Sequence, residues 1–203
     1  MSTMSTSAKE LQDLILAWLA VSFAFSLAFG PFFFTASIPN LVPSFIISLI
    51  VVGTGFVLHE LMHKFTAQRF GFWSEFRADY RMLIFSVILA YIIHIVFAAP
   101  GATLIYGRDI TKKQNGIISA AGPLLNLGLA GIYLLVALYG GIIALIGLYG
   151  FVINIWLSAF NLLPISVLDG KKVLAWGIPQ YVAIAILPFF GAIYVFLVII
   201  PKL

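Results

Sequence analysis

SFIISLIVVGTGFVLHELMHKF, residues 44–65, is the stretch from which the rest of the chain can be read. Residues 44–58 carry no charge, and at about 1.5 Å per residue the whole run is long enough to cross a bilayer. Its last third then holds His59, Glu60 and His63, in the pattern HExxH. On a helix His59 and His63 lie on one face, one turn apart. Two imidazoles so spaced can hold one zinc ion, and the adjacent Glu60 can take a proton from a water whose pKa the metal lowers. Measured from Ser44, His59 is roughly 22 Å along the helix. The site is therefore expected inside the bilayer, toward the far end of the span.

The composition agrees with a polytopic membrane protein. Of 203 residues, 63% are hydrophobic and 9% charged, and mean hydropathy is +1.13; a soluble domain carries far more charge. The formal charge of +4 argues little for nucleic acid, which is not expected as a partner, because in a membrane protein the placement of Lys and Arg matters more than their sum. No cysteine is present, which excludes a thiolate metal site, a Cys nucleophile and a disulfide frame.

Around the motif span, other apolar runs recur. Residues 14–34 read as a first span, too long for a signal-peptide core, with cleavage near the small residues 24–30 as the alternative. Residues 68–81 are polar and aromatic. An apolar run over 82–99 contains His94 and stops at Pro100-Gly101, and 102–106 reads as a short β-type run. Residues 117–139 and 142–163 are further spans around the turn Gly140-Gly141, and 178–200 is a last one, expected to bend near Pro188. The fold class expected is all-α, with about five full membrane helices, or six, and a small β element near the active site. The chain reads as a single domain, 1–203.

A catalytic zinc takes three protein ligands and leaves one position for water. The candidates for the third ligand near membrane depth are Asp169 and His94. Asp169 ends the run NLLPISVLD, residues 161–169, and Gly170 follows it. HELMH on an early span, AAGPLLN (120–126) opening a later one, and NLLPISVLDG (161–170) ending the next resemble the site-2-type intramembrane metalloproteases. The matching core covers about 44–65 and 117–172. HExxH alone is common among zinc peptidases; joined to N-x-x-P-x-x-x-L-D-G downstream, both membrane-embedded, it is far more specific. The resemblance implies His59, His63 and Asp169 as ligands of one zinc ion and Glu60 as catalytic base. It places Asn161 and Pro164 near the substrate and implies cleavage of peptide bonds within membrane-spanning segments. The chain departs from the family at Lys171, where a second glycine is common. It also lacks an inserted regulatory domain and adds the run 82–99.

Asn126 and His94 are further candidates behind the metal ligands. Asn126, Asn154 and Asn161 also suit hydrogen bonds between membrane helices, and Gly122-Pro123 suits a helix start. A rival class is a metal transporter, whose polar groups would line a path through several spans; here they gather at one depth. A metal-binding scaffold without activity is the other.

Parity of crossings decides the topology. If every apolar run crossed once, Asp169 would face the opposite side from His63, too far to share a metal at about 2 Å ligand distances. Residues 82–106 are therefore expected to enter the membrane and return to the side they left, turning at Pro100-Gly101. That topology puts Lys112-Lys113 and Lys171-Lys172 on the cytoplasmic face, where binding of anionic lipid would be secondary. It also puts the site nearer the cytoplasmic side, in what is expected to be a prokaryotic cell membrane.

Overall fold

The structure is a computed structural model, and it describes residues 6–33, 38–96, 101–107, 109–165, 167–199 and 201. Among the described residues, five helical stretches are long and apolar enough to cross a membrane: Ala8–Ala28, Leu41–Arg69, Lys112–Tyr139, Gly141–Asn161 and Ile178–Ile199. The helix α1 spans Ala8–Phe33. The motif span is interrupted, as α2 (Ile38–Val52) passes through a π-helical turn, Gly53–Val57, into α3 (Leu58–Arg69). Such a turn inserts an extra residue and re-aims the helix beyond it, and it tends to sit at functional sites. Here it falls just before His59, where Gly55 has Asn154 and Asn126 close against it.

After α3 comes a strand that the polar composition of residues 68–81 concealed: β1, Trp73–Ala78. Then come α4 (Tyr80–Ile93), capped at its start by the Asp79 side chain, and β2 (Gly101–Tyr106). The two strands pair antiparallel, Trp73 opposite Tyr106 and Ala78 opposite Gly101.

The helix α4 climbs beside α1 in the same direction. The Tyr80 hydroxyl bonds Asp13 at its foot, and His94 Nδ1 lies 3.3 Å from the Leu27 carbonyl at its top. Asp13 to Leu27 is fourteen residues of helix, roughly 21 Å. At the foot, Gly101 pairs with Ala78. The segment thus leaves and returns at one level. The helix is shorter than the apolar run 82–99: α4 stops at Ile93, and His94 takes the left-handed conformation, φ 53°. The expected turn at Pro100 lies outside the described residues.

α5 (Lys112–Val136) begins with a capping box between Thr111 and Gln114. It packs antiparallel to α3, with His63 against Ile118 and His59 against Asn126. The end of α3 and the start of α5 therefore share one end of the bundle. Gly140 and Gly141, at φ 83° and 57°, turn the chain into α6 (Gly141–Asn161). A short α7 (Asp169–Trp176) and then α8 (Ile178–Tyr194) complete the order. Asp169 thus opens a helix instead of sitting in a loop. The helix α8 runs through Pro188 and ends in a π-helical turn, Val195–Ile199. Packing joins α1, α2, β1 and α6 through Val21, Phe25, Val52, Phe76, Tyr149 and Ile153, all buried. In a bilayer such contacts act through close packing and shared hydrogen bonds more than through exclusion of water.

A candidate metal centre beside a free strand edge

Among the described residues, one group of His, Asp and Glu side chains could hold a metal ion. His59, His63 and Asp169 bring one ligand atom each within 4.8 Å of one another. Asp169 Oδ2 lies 3.4 Å from His59 Nε2 and 3.1 Å from His63 Nε2. The two histidines come from adjacent turns of α3, and the aspartate from the first residue of α7. Gly170 lets α7 approach that closely, since a Cβ there would fall 2.1 Å from the Leu162 carbonyl oxygen.

The hydrogen bonds behind the histidines fix their tautomers. His63 Nδ1 is 2.7 Å from the Ile118 carbonyl, which can only accept, so Nδ1 carries the proton. His59 Nδ1 faces Asn126 Oδ1. The Asn126 amide is oriented in turn, because its Nδ2 donates to the Gly55 carbonyl at 3.1 Å and to Asn154 Oδ1 at 2.9 Å. Asn154 Nδ2 donates to the Gly150 carbonyl. Every member of the chain has one consistent orientation, and it ends with a proton on His59 Nδ1. With both imidazoles neutral, as metal ligands are, the Nε2 lone pairs then point at a carboxylate oxygen. Three acceptors facing one another repel unless a cation sits among them, and two imidazoles plus a carboxylate are a donor set that suits zinc. The residues fit a metal.

Glu60 is buried at the same level. Its Oε2 accepts a hydrogen bond of 2.8 Å from the Thr103 hydroxyl on β2. A cavity of about 40 Å³ is lined by Glu60, His63, Thr103, Asn161, Asp169 and Lys172, among others. That is room for a water or two. Lys172 Nζ stands 3.7 Å from the other Asp169 oxygen, Oδ1.

Ladder parity decides which backbone groups of the hairpin face this cavity. The N–H groups of Phe76 and Ala78 point away from β2, toward α1, where they meet Glu10 and Asp13. In an antiparallel ladder alternate residues bond the partner strand. Trp73, Glu75 and Arg77 therefore bond Tyr106, Leu104 and Ala102. The backbone groups of Gly101, Thr103 and Ile105 point outward, and these same residues line the cavity. Among the described residues no hydrogen bond reaches those outward groups.

The structure also places the other candidates. Asn126 stands behind His59 as described. Asn161 lines the cavity while its Nδ2 bonds the Leu157 carbonyl. Pro164 is exposed on the connector to α7 and is not among the cavity's described lining. His94 is not brought to the cluster; it is exposed beside the top of α1. Sequence reasoning missed Thr103, Lys172 and the role of Gly122. A Cβ on Gly122 would lie 2.6 Å from His59 Nε2, so the glycine in AAGPLLN makes room for a ligand. The hint for Thr103 was a lone polar residue in an apolar strand.

A buried triad that could hold a metal, two of its members on an apolar span and a carboxylate beside them, is the arrangement of a membrane protein of the HExxH class. Comparison with known proteins narrows this. The chain is 44% identical over 195 residues to the Methanocaldococcus jannaschii protein named "Putative zinc metalloprotease MJ0611", covering 94% of this chain and 96% of that one. It is 30% identical over 158 residues to "Putative zinc metalloprotease YwhC" of Bacillus subtilis, covering 66% and 69%. No family model matches, and no solved structure does. The chain belongs to the zinc metalloprotease family of these two relatives.

Proposed function

We propose that the protein is an intramembrane zinc metalloprotease of the site-2 type, hydrolysing peptide bonds within membrane-spanning segments of other proteins. The observation that carries this reading is the acceptor-only triad beside the outward edge of β2, both set among apolar spans. A zinc ion held by His59, His63 and Asp169 would supply the Lewis acidity for hydrolysis. Glu60 would accept the proton of the attacking water and return it to the leaving nitrogen. The Thr103 hydroxyl holds the carboxylate of Glu60 in place for that transfer.

A peptide bond in a membrane helix is shielded by its own hydrogen bonds, so the substrate must be extended locally. An extended segment can add to a sheet edge through main-chain bonds. The outward groups of Gly101, Thr103 and Ile105 provide that edge, and Asn161, which also lines the cavity, would hold the other side of the strand. Pro164 would act indirectly, by shaping the connector to Asp169.

The lysines at the start of α5 and in α7 support a site nearer the cytoplasmic face of a prokaryotic cell membrane, and residues 1–203 are read as one domain. Single cysteines at positions 79, 112 and 171 should all resist an impermeant thiol reagent in intact cells. Labelling at 112 but not at 79 would contradict the re-entrant topology.

The direct test is cleavage of candidate membrane spans by the purified protein with and without chelator. Glu60→Gln should keep its metal while cleavage falls by about 10²–10⁴-fold, the range of a general base. Cleavage at the unaltered rate would exclude the protease mechanism and favour a transporter or an inert metal scaffold.

A further inference from the structure

Two buried carboxylates near the foot of α1 have no part in the chemistry above. Glu10 is fully buried; its Oε1 accepts the Phe76 N–H at 3.1 Å and its Oε2 the Lys64 ammonium at 2.6 Å. Asp13, one turn on, is 1% exposed. It accepts from the Ala78 N–H at 3.4 Å, the Tyr80 hydroxyl at 2.5 Å and Lys9 Nζ at 2.7 Å. Ionisable groups in a membrane helix are costly and are retained for a purpose. These two match the repeat of β1, with acids three apart on the helix meeting N–H groups two apart on the strand.

We infer that Glu10 and Asp13 are positioning residues that close the outer edge of β1 and so leave the cavity-lining edge of β2 as the hairpin's one site for adding a substrate strand. This rests on the intramembrane protease reading and deepens it. By holding Phe76 and Ala78 outward, the carboxylates fix the parity of the ladder. A slip of one residue would turn every side chain of the strand to the other face. Thr103 would then lose Glu60, and the backbone groups of Gly101, Thr103 and Ile105 would turn away from the cavity. The same contacts block strand addition at the wrong edge, which lies away from the metal. The ligand class is an extended, unwound segment of a membrane helix, recognised by its main chain.

The test uses the full-length, zinc-loaded protein in detergent. The variants are Glu10→Gln, which keeps an acceptor for the Phe76 N–H, and the double variant Glu10→Leu with Asp13→Leu, which removes both acceptors. Three quantities are read: amide hydrogen exchange along both strands, zinc per chain, and KM and kcat on a cleavable membrane span. In the double variant exchange at Phe76 and Ala78 should rise about tenfold or more, the scale of one lost hydrogen bond. Zinc should stay unchanged, and KM should rise about tenfold, more than kcat falls. Glu10→Gln should stay within about threefold on every readout. A substrate-derived peptide carrying a non-cleavable bond should slow exchange at Gly101, Thr103 and Ile105 in the unaltered protein, and not at Phe76 or Ala78.

Unchanged exchange at Phe76 and Ala78 in the double variant would overturn the proposal, as would raised exchange with unchanged KM. Should the double variant fail to fold, Asp13→Leu alone carries the same readouts at Ala78. Peptide protection at Phe76 instead of Thr103 would overturn it too. A protein that never cleaves would sink the protease reading, while the exchange data would still decide whether the carboxylates hold the strand.

Discussion

His63 and Lys64 are neighbours in sequence, yet they face clusters of opposite kind. Lys64 turns to Glu10, whose two oxygens each receive a donor. His63 turns to Asp169, where the lone pair of the neutral imidazole meets a carboxylate oxygen. The first cluster is electrically complete within the chain. The second is incomplete without a cation. A single residue step along the helix thus separates polar groups that hold the fold from polar groups that bind something, and the distinction lies in the count of donors, since burial is alike at both.

The strongest way to break that comparison is to remove the acceptor that makes the second cluster incomplete. Asp169→Ala should cost more in zinc affinity than the ~10–100-fold typical of outer hydrogen-bond partners, and cleavage should vanish with the metal. Equilibrium metal titration of the purified protein measures it. Undiminished zinc affinity in Asp169→Ala, with loss in a His94→Ala protein, would move the third ligand to the place the fold argues against.

A smaller change tests whether the hydrogen-bond chain behind the ligands sets their tautomers. Asn126→Leu removes the acceptor that keeps the proton on His59 Nδ1 and leaves Asn154 without its donor. Zinc affinity should fall by about 10–100-fold, with His59 and His63 still in place. Unchanged affinity would mean that tautomer control is not what separates the two clusters.

How much of this could be read from the chain alone depends on the range of each interaction. The spans were legible because an apolar run is a local signal. HExxH was legible because helical periodicity places His59 and His63 together without any tertiary knowledge, and the run ending in Asp169 through its resemblance to a family motif. What escaped was pairing across distance. β1 was hidden in a polar stretch, because Ser74, Glu75 and Arg77 blur the alternation that marks a strand. Glu10 carries no local signal of its role, since its partners at Lys64 and Phe76 lie more than fifty residues away. The turn was expected at Pro100-Gly101, the strongest breaker in the run. The helix itself ends at Ile93, before the apolar run does, because His94 adopts a left-handed conformation that its residue type does not advertise. Thr103 stood out only as a lone polar residue, and its partner Glu60 was hidden, because nothing local says which face of a short strand meets a helix.

The smallest predicted effect lies at the rim of the donor-matched cluster. Glu75 on β1 accepts a bond from the Ser7 hydroxyl and pairs with Arg77 at 2.7 Å. The Ser7 bond, aided by Arg77 and against the opposing effect of burial, holds its carboxyl below the ordinary value. That direction sets the sign. A carboxyl that is more acidic in the folded protein adds stability that is fully present above its unfolded pKa, near 4.3, and is lost as pH falls through the folded value. The unaltered protein should therefore be more stable than Glu75→Gln at pH 6–7, by about 1 kcal/mol or less for so small a pair. The difference should shrink below about pH 4. Thermal unfolding of both proteins in one detergent, taken as a difference at each pH, isolates this residue from the other carboxylates. A gap that grows as pH falls would show Glu75 to be strained instead of matched, and would place it with the metal cluster on the other side of the comparison.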